Sequence, residues 1–277
     1  MSAKSSGINF KDRRNRQVPP DWALPLLDVV AITAWGVLLL KYWLAGSLNL
    51  LIHPNYFWLV VVTAVLLVIV GVLKGMQLFW TIRQRSFVSG RSRRVNQPVS
   101  PVQHITLFPP GWSGTLLLAT AILGLLITPK VFNSQTALQR GVSESVSITR
   151  SQPQAFRSSK KPEERSLIDW VRILNVYPEP DTYTGQKVKV QGFVVHPPEM
   201  SAQYLLLSRF VITCCAADVY PVGLPVKLTQ DSKAYPPDTW LEVEGKMITE
   251  TVQSKRQLTI DATSLKKIPE PKNPYNY

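Results

Sequence analysis

The only two cysteines of the chain, Cys214 and Cys215, are neighbours in the run SRFVITCCAADVYPVG, residues 208–223, with Arg209 upstream and Asp218 downstream. Thiols and a carboxylate so close in sequence allow three kinds of chemistry. They can bind a soft or borderline metal ion, exchange with a disulfide, or attack an electrophile. Cysteine catalysis requires a base within reach, and His196 is the one histidine placed to serve, so the chain is expected not to be an enzyme. For a metal, Cys214, Cys215, Asp218 and His196 offer soft and intermediate donors. Their spacing, however, departs from paired zinc patterns, which separate cysteines by at least two residues. A disulfide between neighbours is strained, because consecutive α-carbons stand about 3.8 Å apart against the usual range of about 4.4 to 6.8 Å. No cofactor is expected.

The residues around the thiols must position them. YLLLSRFVITCC reads as one extended run. In such a strand Leu206, Phe210, Ile212 and Cys214 share one face and Arg209, Thr213 and Cys215 the other. Cys214 is therefore expected to be a buried small apolar residue and Cys215 the thiol near a polar surface. That division fails if the strand turns at Thr213. Neighbouring segments also alternate: KVKVQGFVV, GLPVKL, TWLEVEGKMI and RQLTIDATSL. Five strands separated by proline-rich turns predict an all-β, OB-like small barrel. In VKVQGF and LEVEGK, Gly192 and Gly245 follow an alternating pair, where a bulge can bend a strand around a barrel corner. Of the aromatic residues Phe193, Tyr204, Phe210, Tyr220 and Trp240, most are expected in the core rather than on a binding face.

Upstream the pattern is different. Three stretches, at about 22–44, 56–80 and 112–128, are apolar enough to cross a bilayer, which takes roughly 20 residues per helix. Trp22, Tyr42, Trp43, Tyr56, Trp58, Trp80 and Trp112 fall at their ends, where aromatic residues prefer the headgroup layer, and Trp35 is the exception. The first run exceeds a signal-peptide core and predicts an uncleaved anchor. Lys4, Lys11, Arg13, Arg14 and Arg16 precede the first span, and Arg83, Arg85, Arg91, Arg93 and Arg94 follow the second. Residues 45–55 hold neither Lys nor Arg. The N-terminus and the 81–111 loop are thus expected in the cytoplasm, and the C-terminal part outside it.

The net charge of +13 is mostly this topology signal: 16 basic residues stand against 4 acidic ones before residue 160, and 15 against 14 from there on. A nucleic-acid surface would need the surplus on the folded domain, so nucleic-acid binding is not expected. Inside the spans, Lys41 and Lys74 lie near helix ends and can snorkel, while Asp28 lies deeper and is a candidate for a partner charge or a polar path. Gly71 and Gly75, four apart, and Thr120, Gly124 and Thr128 suit close helix packing. The expected organisation is a membrane domain over 1–130, a linker over 131–165 and a β-domain over 166–270. A short amphipathic helix near 166–174, N-capped by Ser166, opens the last.

The segments YTGQKVKVQGFVV, LLLSRFVITCCAADVYPVGLPVKL and DTWLEVEGKM, preceded by membrane helices, resemble a bacterial family of two-component membrane permease complex subunits, whose C-terminal domain has no known function. The resemblance covers nearly the whole chain, and its most specific element is the Arg-x4-Cys-Cys-Ala-Ala-Asp run. It implies an accessory, multi-pass subunit of the bacterial cell membrane that pairs with a larger multi-pass permease. The recurrent family positions fall on Gly192, Arg209, Cys214, Cys215, Asp218, Pro221, Gly223, Trp240 and Gly245, and no catalytic role travels with them. Two readings stand: a permease subunit whose outer domain contacts partner or solute, and an outer thiol or metal domain that senses or buffers redox state or metals.

Overall fold

A computed structural model describes residues 22–88, 111–142 and 160–277. The basic N-terminal flank, Arg91, Arg93, Arg94 and His104 lie outside the described residues. The chain forms two compact units, one of residues 1–44 and 58–128, the other of residues 45–57 and 129–277.

The first unit holds helices α1 (Ala23–Leu44), α2 (Phe57–Val88) and α3 (Trp112–Leu126). Among the described residues, two helices are long and apolar enough to cross a membrane, over Ala23–Leu44 and Pro54–Gln84; α3, with 15 residues, is shorter. Glycines on α2 and α3 seat α1. A Cβ at Gly71 would meet Thr33, one at Gly75 would meet Val29, and one at Gly124 would meet Leu38. The Gly71/Gly75 pair is thus used inside this chain, where the missing side chains let the two backbones approach closely. Polar groups are satisfied the same way. Lys41 Nζ and Tyr42 Oη donate to the carbonyls of Leu125 and Gly124, both at 2.6 Å, at the carbonyl-rich end of α3, where a cation is favourable. Trp35, the aromatic residue away from the span ends, donates its indole N–H to the Leu117 carbonyl at 2.9 Å. Asp28 is exposed, and a Cβ on Gly114 would stand 2.8 Å from its Oδ1. Its carboxylate therefore neighbours the first turn of α3, where the helix dipole favours negative charge.

In the second unit, the stretch expected to be a linker contains helix α4 (Ser134–Arg140), capped by Asn133, whose Oδ1 accepts from the Thr136 amide at 3.0 Å. Helix α5 (Leu167–Val176) follows the predicted start: Ser166 and Asp169 form a reciprocal capping box. Desolvation by burial would raise the Asp169 carboxyl pKa. Hydrogen bonds from Ser166 and Lys160 outweigh it, so Asp169 is held below its ordinary 3.8.

The β part has six strands, β1 (Lys187–Val195), β2 (Tyr204–Val211), β3 (Tyr220–Lys227), β4 (Trp240–Val252), β5 (Lys255–Lys267) and β6 (Tyr275–Asn276). Antiparallel β1–β2, β2–β3, β4–β5 and β1–β4 pairs together with a parallel β3–β5 contact make a continuous circuit, and β6 lies parallel to β2. One core packs Leu167, Trp170 and Val171 of α5 against Val188, Leu205, Leu207, Val222, Met247 and Ile260. A second joins Ala137 to Phe193, Phe210, Trp240 and Tyr275, with Phe193 stacked on Phe210 at 5.2 Å. Phe193, Phe210 and Trp240 are core residues.

At Gly245 the β4–β5 register shifts, as a bulge there requires, and a Cβ would collide with the Asp261 carbonyl oxygen. At Gly192 it would meet the Ser208 carbonyl oxygen at 2.6 Å. Neither backbone can retreat without breaking its ladder. Gly245→Val is therefore expected to cost about 1–3 kcal/mol, the usual range for overpacking. Thermal unfolding of the full chain in detergent should show the midpoint fall by several degrees; an unchanged midpoint would refute the close approach.

Candidate functional site

Strand β2 ends at Val211 and β3 begins at Tyr220, so both thiols lie in the connection rather than in a strand. The extended reading past Thr213 is thereby corrected. The cause is Asp218, whose carboxylate folds the chain back on itself. Its Oδ2 accepts from the Thr213 hydroxyl and, at 2.8 Å, from the Cys214 amide, while Oδ1 accepts from the Cys215 amide at 3.2 Å. The Asp218 amide donates to the Cys215 carbonyl at 3.0 Å, closing a tight turn over Cys215, Ala216 and Ala217. Small alanines at its tip cost little to expose.

A turned backbone no longer sends adjacent side chains to opposite faces. Cys214 Sγ and Cys215 Sγ stand 3.6 Å apart, and both cysteines are free thiols. Cys214, expected in the core, is exposed; Cys215 is half-buried. The two sulfurs and an Asp218 carboxylate oxygen all lie within 4.8 Å of one another. The carboxylate also raises the pKa of the Cys214 thiol. The hydrogen bond from Cys214 to Asp218, then that to Cys215, pushes the Cys214 thiol from its ordinary 9.0 up to about 11. For Asp218, burial raises the pKa, but donors from Thr213, Cys214 and Cys215 prevail and hold it below 3.8.

Segment 45–57, from the connection between the two long apolar helices, belongs to this site. Ile52 pairs with Cys215 in an antiparallel bridge, the His53 amide donates to the Cys214 carbonyl at 3.0 Å, and the Ala216 amide donates to the Leu51 carbonyl at 2.7 Å. The His53 ring also packs edge-on against Tyr277 at 5.0 Å, and Tyr277 Oη donates to the Asn49 carbonyl at 3.1 Å. Residues 49–53 are the part of the site that strand periodicity misses. A signal was present in their lack of Lys and Arg, which puts them on the same predicted side as the C-terminal part.

The other sequence candidates lie elsewhere. His196 Nε2 is 2.8 Å from the Tyr235 carbonyl, on the wall of a cavity of about 450 Å³ shared with Met200, Tyr204 and Lys233. It does not join the cysteines. Arg209 points to the C-terminal strand: its Nε and Nη2 donate to the carbonyls of Pro274 (3.3 Å) and Asn273 (3.0 Å), and its guanidinium lies over Trp240 at 5.5 Å. Burial lowers its pKa below the ordinary guanidinium value. Arg209 is thus a clamp on β6. Pro221 and Gly223 are buried in β3, where a Cβ on Gly223 would stand 3.0 Å from the Leu207 carbonyl oxygen.

Residues 164–277 match the family model described as the DUF1980 C-terminal domain. No match is found among curated proteins. The matched stretch contains α5, all six strands and the Cys214–Asp218 turn, and leaves the helices α1 to α3 outside it.

Proposed function

We propose that this protein is an accessory integral-membrane subunit of a two-component permease complex, with an OB-like β-barrel domain outside the cytoplasm that contacts partner or solute through the Cys214–Asp218 turn. The observation that carries this reading is the joining of residues 45–57 to the β part. The connection between two apolar helices folds with the C-terminal unit, so the hairpin tip and the β-domain share one side of the membrane. That agrees with the Lys and Arg bias, with three spans over α1, α2 and α3 and the N-terminus in the cytoplasm. The continuous β1–β4–β5–β3–β2–β1 circuit supports the barrel. Such a chain, with few ionisable residues in its helices, is poorly equipped to move a solute alone, so a larger multi-pass partner does the transporting.

The test is to tag the protein in its own cell and purify it in mild detergent, with an unrelated three-span protein as control. A large multi-pass permease in stoichiometric amount is expected with the first and not the second. Repeated recovery of the protein alone would count against the proposal. A second reading, an outer thiol or metal domain, is favoured by the convergence of Cys214, Cys215 and Asp218 donor atoms.

A further inference from the structure

We propose that Cys214, Cys215 and Asp218 form a three-donor site for a divalent d10 transition-metal ion, Zn2+ foremost, with the fourth coordination position left open. This rests on the metal reading above and narrows it to an ion class, a geometry and a ligand set.

Sulfur spacing selects the geometry. With zinc–sulfur bonds of about 2.3 Å, sulfurs 3.6 Å apart subtend about 100° at the metal, close to the tetrahedral angle. A linear two-coordinate ion with bonds of that length would need them roughly 4.6 Å apart. The turn therefore suits a tetrahedral ion rather than a linear monovalent one.

Asp218 supplies the third donor without giving up its hold on the turn. An ionised carboxylate offers about four lone-pair sites. Thr213, the Cys214 amide and the Cys215 amide use three, and the Cys214 thiol is the remaining donor. Metal binding removes the thiol protons, since thiolates are the ligands. The lone pair facing Cys214 is then free for the ion. Two thiolates and one carboxylate also leave a formal charge of −1 on a Zn2+ complex, which an outer fourth ligand completes.

Openness is the feature that bears on function. Cys214 is exposed, and among the described residues no further His, Cys, Asp or Glu atom joins the group. Closed four-ligand sites are structural, whereas three-ligand sites keep a position for exchange. An ion held here can be received from, and handed to, a donor atom of another molecule. Backbone pairing of the turn to residues 51–53 keeps the two sulfurs in register while this happens.

The experiment uses the full chain, reduced, in detergent, with a tag free of histidine. Zn2+ is titrated against a chromophoric chelator, Co2+ absorption reports coordination, and Ag+ serves as the monovalent probe. One Zn2+ per chain is expected, with Co2+ showing thiolate charge transfer and intense tetrahedral bands that Zn2+ abolishes. Cys215→Ser and Cys214→Ser should each weaken Zn2+ binding by at least about 100-fold, and Asp218→Ala by about 10–100-fold, while His196→Ala binds as the wild type does. Near-ultraviolet circular dichroism on each variant separates loss of ligand from loss of fold. Octahedral Co2+ bands, or Zn2+ binding unaffected by the serine variants, would overturn the proposal. Binding of Ag+ but not Zn2+ would overturn the tetrahedral assignment and spare the thiol–metal reading. Binding of neither ion would remove both.

Discussion

Arg209→Ala is expected to destabilise the β-unit by about 2–4 kcal/mol and to free the C-terminal strand. Charged hydrogen bonds contribute roughly 1.5–3 kcal/mol each, and a cation over an aromatic face adds about 0.5–2 kcal/mol, with overlap between them. Arg209 makes two of the former, to Pro274 and Asn273, and one of the latter, to Trp240. Strand β6 is short, and its other ties are the Ile212 amide on the Asn276 carbonyl and the contacts of Tyr277 with Arg172 and Asn49. It pairs with β2 over two residues, Phe210 with Tyr275 and Val211 with Asn276, and its anchor is Tyr275, 1% exposed, whose hydroxyl accepts from the Phe132 amide at 3.0 Å. Without the clamp, Tyr275 and its neighbours Phe132 and Phe210 become accessible. Arg209→Lys should recover little, because one ammonium cannot reach two carbonyls and lie flat on an indole. Thermal unfolding in detergent and limited proteolysis near residue 270 check both parts. Wild-type stability with no added proteolysis near residue 270 would mean that Arg209 does not clamp β6.

The contrast between Arg209 and Asp218 shows which kinds of information the sequence holds. Local periodicity and capping chemistry were readable: the helix after Ser166, the long apolar helices and the alternating strands all appear, because each depends on residues within a few positions of one another. The bulge at Gly245 was readable for the same reason. Arg209 and Asp218 looked alike, as charges flanking a thiol pair. Their roles differ because of partners far away in one case and near in the other. Arg209 finds carbonyls 64 and 65 residues downstream, which no spacing rule reveals. Asp218 finds backbone amides three and four residues upstream, a local turn that β-periodicity through ITCC concealed. The pairing of residues 51–53 to Cys214–Ala216 was the least visible, since it spans more than 160 residues and includes no side-chain signature. Gly71 and Gly75 show the reverse case: a packing motif was evident, and only the structure shows that its partner is α1.

Asp218→Asn is expected to raise the reactivity of the Cys214 thiol at pH 7, by at most about tenfold. In the wild type the Asp218 carboxylate is the first cause, and Cys215 the second, that pushes this thiol from 9.0 to about 11. An anionic acceptor stabilises S–H and opposes a second negative charge beside it. Removing the anion removes the first of these causes and moves the pKa down toward 9.0; the full span would correspond to about 100-fold more thiolate at neutral pH, which is the ceiling. Part of that gain is lost, because nucleophilicity falls with basicity along a slope of about 0.4–0.5, leaving at most roughly a tenfold increase. The asparagine keeps a carbonyl oxygen for the Thr213 hydroxyl and the Cys214 amide but loses the acceptor for the Cys215 amide, so near-ultraviolet circular dichroism on the variant checks that the turn is kept while the charge is not. Alkylation by iodoacetamide, measured with chelator present in a Cys215→Ser background, isolates the one thiol. Its pH profile should shift to lower pH in the asparagine variant, because the Asp218 carboxylate is the first cause of the raised thiol pKa. A slower reaction in the asparagine variant would mean that the carboxylate exposes and orients the thiol more than it suppresses ionisation. A faster one shows that the same group that holds the turn also keeps Cys214 protonated, and hence protected from alkylation and oxidation.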